Sequence, residues 1–403
     1  MSGTAPAAFL AAVVCASGTL TVPSALALEP TSLSAGPVFF TPTLDVKTYY
    51  TDNLWLTDQR EKDTWVGIVT PRLQTWLQDG LNTYSLIFEL EDSTYENSGD
   101  DDFTDYTTRL DLHHEFNVRN VLNVTGEYYD GHEDRGTGLI EGDLVFATDE
   151  PVEYTRTSAG GDYTYGSRDA HGRVRLAAKT TDYQYDNYRD FTRYRDYNQD
   201  VYDGTFFWSV APRTDLLLEA RAIDNDYDET DPADAAGTLN SDEMNYLLGV
   251  AWDATAKTVG HVKLGIYDRE YDSGARSDVD GFTWEVGVTW KPRTYSILDL
   301  QTRRHTQETN GLGNAIDTQD LSLGWNHHWN QRAQTTLRVL YSNEDYQGAS
   351  REDDNYAAEA RYDYEYRRWL DLGAGYRYED RDSDISSYSY DANIIFFEAK
   401  LSL

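Results

Sequence analysis

Large apolar residues alternate with polar or small residues in many short segments of the chain. The clearest segment is 282–291, in which every second residue is large and apolar: Phe282, Trp284, Val286, Val288 and Trp290. The same period of two recurs in segments 321–329 and 371–379. Side chains that alternate in this way belong to β-strands whose two faces meet different surroundings.

The connections between these segments are of two kinds, which take turns along the chain. Gln78-Asp79-Gly80 and Lys291-Pro292-Arg293 are short and turn-like, whereas segments 134–152 and 229–241 are long and acidic. Short turns at one end and long loops at the other are typical of barrels in the bacterial outer membrane. The pattern therefore predicts an all-β fold, an antiparallel transmembrane β-barrel with short periplasmic turns and long acidic extracellular loops.

Counting strands between the connections gives about eighteen, and the even number puts both termini on the periplasmic side. Sixteen strands is the alternative, because the first two strands have the least regular pattern. Pro71 lies inside one of them, and proline suits the middle of a sheet poorly because it cannot donate a ladder hydrogen bond.

Aromatic residues support the barrel independently. Five tryptophans lie within three residues of a predicted short turn: Trp208, Trp252, Trp290, Trp329 and Trp369. Tyrosines such as Tyr95, Tyr185 and Tyr227 crowd the approaches to the long loops. Two aromatic bands at opposite ends of the strands are expected where a barrel meets the two membrane interfaces.

The N-terminus resembles an export signal. Residues 7–22 are small and apolar, and Ala25-Leu26-Ala27 fits a cleavage site. No Lys or Arg precedes the apolar stretch, so an N-terminal anchor or a misassigned start remains the alternative. We expect a signal peptide over residues 1–27, a periplasmic segment over 28–41 and the barrel over 42–403. Cleavage would remove Cys15, the only cysteine, and with it any disulfide or Cys-ligated metal.

The ratio of acidic to basic residues narrows the range of expected binding partners. The 403 residues include 34 Lys and Arg against 70 Asp and Glu, a formal net charge of -36. Nucleic acid is excluded as an expected partner, because phosphate binding needs a basic surface. The final strand has apolar residues on one face up to Leu403, which resembles the C-terminal signal for barrel assembly. The expected partners are outer-membrane lipid, lipopolysaccharide and the barrel assembly machinery.

Motifs for catalysis are missing from the sequence. His113-His114 and His327-His328 are adjacent on predicted strands, so the members of each pair face opposite sides and cannot form one metal site. The segment 224–228 alternates carboxylates, but Glu229 replaces the glycine that a calcium loop of the EF-hand type requires next. We predict no enzyme activity, no metal and no cofactor. An outer-membrane hydrolase is the remote alternative, since it would need Ser, His and acidic groups converging on one rim.

The face opposite the large apolar residues should point into the barrel. The charged residues predicted to line this lumen are Arg109, Asp111, Glu115, Arg173, Arg175, Lys179, Glu219, Arg221, Lys263, Glu285, Arg338, Arg361 and Arg377. One interpretation is that these charges pair and fill the interior. The other is a hydrated pathway whose basic residues contact an anionic solute, because a barrel of this size can hold an aqueous channel.

The segment Pro42-Thr43-Leu44-Asp45-Val46, followed by Tyr50-Thr51-Asp52-Asn53 and by hairpins rich in Tyr and Asp, resembles the "putative β-barrel porin 2" family over most of the mature chain. The resemblance implies an outer-membrane channel for export or passage of an acidic exopolysaccharide, with a periplasmic export partner. The alternative is a closed structural or receptor-like barrel that binds glycans or cations through its loops.

Overall fold

The computed structural model describes residues 32–255 and 257–402, which form antiparallel strands with a few short helical turns. The strands are β1 (Leu33–Ala35), β2 (Val38–Thr51), β3 (Thr64–Asp79), β4 (Asn82–Tyr95), β5 (Phe103–Asn117), β6 (Asn120–Glu133), β7 (Val152–Tyr165), β8 (Gly172–Tyr185), β9 (Tyr197–Ala211), β10 (Thr214–Tyr227), β11 (Ser241–Thr255), β12 (Thr258–Tyr271), β13 (Val279–Arg293), β14 (Ser296–Glu308), β15 (Ala315–His328), β16 (Ala333–Gln347), β17 (Glu352–Arg367), β18 (Leu370–Ser383) and β19 (Tyr390–Ser402). One helical turn, α1, covers Arg189–Thr192.

Strands β2 to β19 form a closed barrel. Each pairs with its neighbours along the chain, and β19 returns to pair with β2 from Ile394 opposite Thr51 to Ser402 opposite Thr43. The prediction of 18 strands is confirmed, and the alternative of 16 is wrong. The short strand β1 pairs with the start of β2, so the sheet begins earlier than the expected residue 42.

Pro71 lies within β3 and is accommodated by a local gap in the ladder. It pairs with Leu44 on the β2 side. On the β4 side the register passes from Val69–Asp92 to Arg72–Glu89 without a pair for Pro71. Because proline has no backbone N–H, it cannot donate a hydrogen bond there, and the paired residues on either side hold the strand in place.

The two ends of the barrel differ. Where the chain enters at Val38 and leaves at Ser402, most connections are two-residue turns, such as 118–119. The opposite end carries longer loops, the longest being residues 134–151 between β6 and β7. We call these the turn end and the loop end. The acidic segments predicted as loops end where strands begin, since β7 begins at Val152 and β11 at Ser241.

The outer wall is apolar and the inner wall is polar. Leu264 and Ile266 are 50% and 61% exposed on the outside of β12, whereas Lys263 points inward to carboxylates. An apolar surface that extends around the barrel would be unfavourable in water and matches contact with lipid. Within the described ranges, no helix has the length and apolar character needed to cross a membrane.

Candidate functional site: the lumen and its lid

The barrel encloses a cavity of about 2180 Å³. At the turn end its lining includes Gln331, Arg368 and Ser402. At the loop end it reaches the underside of the loops at Leu139 and Asn310. The cavity therefore follows the barrel from the turn end to a ceiling made by loop residues.

The lining of this cavity has a different charge balance from the rest of the chain. It contains 17 Lys and Arg residues and 16 Asp and Glu residues, whereas the whole chain has 34 and 70. Half of all basic residues thus line the cavity, while most acidic residues lie elsewhere. The lumen is nearly neutral overall although the protein is strongly acidic.

Most of the predicted charged residues line the cavity, namely Arg109, Asp111, Arg175, Lys179, Arg221, Glu285, Arg338, Arg361 and Arg377. Four predicted residues are not part of the described lining. Glu219 and Lys263 are covered by their ion-pair partners, and Glu115 contacts His113. Arg173 pairs with Asp215 near the turn end.

Four of these charges form a closed ring on the wall made by β10, β12 and β13. Arg221 donates to Glu219 and, at 2.9 Å, to Glu285. Lys263 Nζ lies 2.7 Å from the other oxygen of Glu219 and 2.8 Å from that of Glu285. Each charge therefore has two opposite neighbours, and the ring neutralises itself.

Replacing Lys263 by Met should destabilise the barrel. The substitution leaves Glu219, whose side chain is only 3% exposed, without one of its two cationic partners. Breaking a buried ion pair from one side costs up to about 3 kcal/mol. Urea unfolding of the purified barrel measures this, with Lys179→Met as the matched control because Lys179 forms no ion pair with any residue that the structure describes. An equal loss in both variants would contradict the role given to the ring.

Other interior charges also form ion pairs, either within one strand or between strands. Arg361 lies 2.7 Å from both Asp363 and Glu398. Arg175 lies 3.4 Å from Asp162. Pairs of this kind rigidify the wall, since each ties the side chains of two positions together.

Lys179 and Arg338 differ from their neighbours. Among the residues that the structure describes, neither has a carboxylate within 4.0 Å. Each faces a glycine in the adjacent strand, Gly160 opposite Lys179 and Gly324 opposite Arg338. Because glycine has no side chain, it leaves the cation room to extend into the cavity. Strands β8 and β16 lie on nearly opposite walls of the 18-stranded ring, so the two cations face one lumen from both sides.

Residues 134–151, the β6–β7 loop, form a lid across the loop end. Near one wall the lid is anchored by Arg135, whose Nη2 donates to Asp101 at 2.8 Å and whose Nη1 donates to the carbonyl of Thr148 at 3.0 Å. Burial opposes the charge of Arg135, but the hydrogen bonds that Arg135 donates to Asp101, together with the negative charge of that carboxylate, outweigh it and raise the pKa of the guanidinium. The base of the lid is therefore fixed.

The underside of the lid is apolar. Leu139, Ile140 and Val145 pack in one buried cluster with Tyr154 and Tyr185 of the inner wall. Burial of these side chains removes apolar surface from water and holds the loop down over the cavity. The lid is thus packed against the barrel and not merely tethered to it.

The wall beneath the lid is a row of stacked tyrosines. Tyr154, Tyr183, Tyr197 and Tyr227 come from the adjacent strands β7 to β10, with ring centroids 4.6, 5.6 and 5.2 Å apart. The hydroxyl of Tyr227 donates to Glu308 at 2.6 Å. Stacked rings whose hydroxyls are bonded form a rigid shelf for the lid.

The tip of the lid reaches the opposite wall through Glu141, which is buried. One carboxylate oxygen accepts from Arg381 at 2.9 Å, and the other accepts from Arg351 at 2.8 Å and Asn310 at 3.0 Å. The next residue, Gly142, has a φ of +58°, and a Cβ there would lie 2.8 Å from the carbonyl oxygen of Ser387. Only glycine fits this turn, which presses Glu141 into its site.

The β14–β15 hairpin leans inward to meet the lid. Pairing between β13 and β14 stops at Trp284 opposite Arg304, although both strands continue. Beyond that point Glu308 crosses the lumen side to Arg269 at 2.7 Å. This bend brings Asn310, in the loop that follows, to Glu141. Hairpin and lid together make the ceiling of the cavity.

The adjacent residues His113 and His114 lie on opposite sides of the barrel wall. His113 lines the cavity, whereas His114 bonds to the hydroxyl of Tyr84 at 2.7 Å and packs on Phe116, which is 58% exposed on the outside. In the described part of the chain, no cluster of three or more His, Cys, Asp or Glu side chains suits a metal ion.

An apolar outer wall, a closed ring of strands and a polar lumen define a porin-like barrel of the outer membrane. The sequence matches the family "Putative beta-barrel porin 2" over residues 27–403. The chain therefore belongs to this family, and the predicted resemblance is confirmed.

Solved outer-membrane barrels resemble the structure distantly. A BenF-like porin from Pseudomonas fluorescens Pf-5 has a TM-score of 0.47 and 10% identity, over 90% of this chain and 99% of that one. OpdK from Pseudomonas aeruginosa, solved with vanillate, has a TM-score of 0.48 and 10% identity over the same shares. The siderophore receptor PiuA from Acinetobacter baumannii has 0.48 and 10%, over 93% and 82%. Likenesses this weak assign no solute or residue role. No curated protein is significantly similar in sequence.

Proposed function

We propose that the barrel is a channel for a hydrophilic anionic solute, and that an acidic exopolysaccharide leaving the cell is this solute. The observation that carries the proposal is the distribution of basic residues. The chain has about half as many basic as acidic residues, yet 17 of its 34 Lys and Arg side chains line one polar cavity. A polyanion passing through the barrel meets a lining far less acidic than the outer surface.

Lys179 and Arg338 give this lining two positive charges that are only partly buried. Among the described residues neither has a carboxylate within ion-pair range, so both remain available to a passing carboxylate or phosphate. In a hydrated lumen such contacts are weak, about 1 kcal/mol at 4 Å. Weak contacts suit transport, because a solute must leave its sites as readily as it enters them. No covalent step is involved.

The lid favours a second candidate, a closed or receptor-like barrel that binds ligands through its loops. Residues 134–151 cover the loop end and pack against the inner wall. If the barrel stays closed, no solute passes through the cavity. The two candidates differ in whether the lid opens.

Export of a polysaccharide further requires that the protein reaches the outer membrane and that the polymer is brought to the barrel. The signal peptide predicted over residues 1–27 lies outside the described residues and remains a prediction, whereas residues 32–41 of the segment predicted over 28–41 are described and contribute β1 and the start of β2. We propose that the turn end faces the periplasm, where an export partner would present the polymer to the cavity.

Swelling of proteoliposomes tests the channel. Glucose and sodium glucuronate have the same ring and nearly the same size, so their relative rates report charge preference. We expect the protein to admit glucuronate faster than glucose, and Lys179→Gln combined with Arg338→Gln to reduce this ratio. Barrels that admit neither solute, even after the lid has been shortened, would favour the closed-barrel candidate.

A further inference from the structure

Donors from three separate elements converge on the carboxylate of Glu141. Arg381 belongs to β18, Arg351 to the β16–β17 loop and Asn310 to the β14–β15 loop. Both carboxylate oxygens are engaged, one by Arg381 and the other by Arg351 and Asn310. Charge-assisted bonds to both oxygens are how proteins hold a carboxylate ligand. We call Arg351, Arg381 and Asn310 the carboxylate socket.

The two guanidiniums of the socket are held by the wall and not by the lid. Arg351 pairs with Asp353 and lies over the rings of Tyr346 and Tyr388, 4.2 and 3.8 Å from their centroids. The Nε of Arg381 donates to Asn355 at 2.7 Å. These contacts do not involve Glu141, so the socket keeps its shape when the lid is absent.

The socket can be reached from the lumen. Arg381 and Asn310 both belong to the lining of the cavity. A solute that has risen from the turn end therefore meets the same guanidinium that holds Glu141. Approach from the outside is blocked by the lid itself.

Removing Glu141 would leave Arg381 short of negative charge. Its other carboxylate neighbours are Asp353, which is 3.9 Å away and already pairs with Arg351, and Glu344 of the cavity lining, which acts on Arg381 without forming an ion pair with it. The Arg381 side chain is only 10% exposed. A buried cation without a close counter-charge is costly, so the vacant socket should bind an anion strongly.

We propose that the carboxylate socket is a binding site for the carboxylate of a sugar acid, that Glu141 occupies it in the resting state, and that an acidic glycan opens the lid by displacing Glu141. This inference rests on the proposed function, whose solute is an acidic polysaccharide. A neutral sugar cannot compete, because it has no anionic group for the two guanidiniums. The lid thus opens for the class of solute that the channel carries.

Isothermal titration calorimetry with sodium glucuronate tests the socket in the full-length, detergent-solubilised barrel. Glu141→Ala vacates the socket and should bind glucuronate at least about tenfold more tightly than the unmodified protein, as charge-assisted hydrogen bonds allow. Glucose should not bind. Asp143→Ala is the matched control, since Asp143 is an exposed residue of the same loop.

Adding Arg381→Gln to Glu141→Ala should abolish the gain. If that double variant does not fold, Asn310→Ala replaces Arg381→Gln and should weaken the gain. Equal binding by Glu141→Ala, Asp143→Ala and the unmodified protein would overturn the socket. This result would leave the channel standing if a barrel with a shortened lid conducts. Conversely, a non-conducting barrel whose Glu141→Ala variant binds glucuronate would overturn the channel and retain the site.

Discussion

Replacing residues 138–147 by a short Gly-Ser linker is expected to convert the barrel from a mostly closed state to a continuously conducting one. The replacement removes Leu139, Ile140 and Val145, which pack the lid onto the wall, and Glu141, which fixes its tip. It leaves the anchor between Arg135 and Asp101 intact. Because the lid forms the ceiling of a cavity that already reaches the turn end, its removal should open a path through the whole barrel.

Single-channel recording in planar bilayers measures this effect as a rise in open probability and in conductance. The matched control replaces residues 230–237 of the β10–β11 loop, none of which lines the cavity. The control should conduct like the unmodified protein. Equal conductance of the lid replacement and the control would show that the lid does not close the pathway.

Reversing the charges of Lys179 and Arg338 should change the ion selectivity of the open barrel from anions towards cations. Lys179→Glu together with Arg338→Glu changes the charge of the lining by four units. At about 1 kcal/mol for each contact, reversing one site replaces an attraction by an equal repulsion and so alters the local anion concentration roughly thirtyfold, and the two sites act on opposite walls of one lumen. The expected readout is a shift of the reversal potential in a KCl gradient.

A control reversal separates the effect of an unpaired charge from that of a paired one. Arg361→Glu adds the same charge change to the lumen, but Arg361 is paired with Asp363 and Glu398. It should lower stability through the loss of those pairs and shift selectivity less per charge than Lys179→Glu does. A larger shift from Arg361→Glu than from Lys179→Glu would mean that pairing does not decide which cations a solute meets.

The fold was predictable because the period of two places one face of every strand in lipid. Phe282 to Trp290 show the alternation without a break, and the turn predicted at Lys291-Pro292-Arg293 falls in the last residues of β13, just before the actual turn at 294–295. The strand count followed from the regular order of turns and loops. Pro71 misled the sequence reasoning, because a missing ladder bond is tolerated when the neighbouring residues stay paired.

The pairing of the interior charges was harder to predict from the sequence than the fold. The alternation indicates that Arg173, Arg175 and Arg221 face inward but not that each has a carboxylate partner, since those partners lie on other strands. Register between strands decides which charges meet. Lys179 is unpaired for a local reason, the glycine opposite it, and this could be recognised only once the register was known.

The lid and its socket were missed entirely. Glu141 meets Arg381 across 240 residues of sequence, and no local pattern links them. One signal was present: Leu139 and Ile140 form an apolar pair inside an otherwise polar, acidic loop. Apolar residues in a long loop of a barrel indicate that part of the loop is packed against the wall and not extended into water.

The reversal potential of the lid-replaced barrel under a KCl gradient tests whether the barrel is an anion-preferring channel that its lid closes, because it reports both an open aqueous path and the sign of its selectivity. We expect steady conductance with a reversal potential displaced towards that of chloride, and loss of this displacement when Lys179→Glu and Arg338→Glu are also present. A folded, membrane-inserted barrel that lacks the lid and still conducts no ions would contradict it, as would a reversal potential on the potassium side.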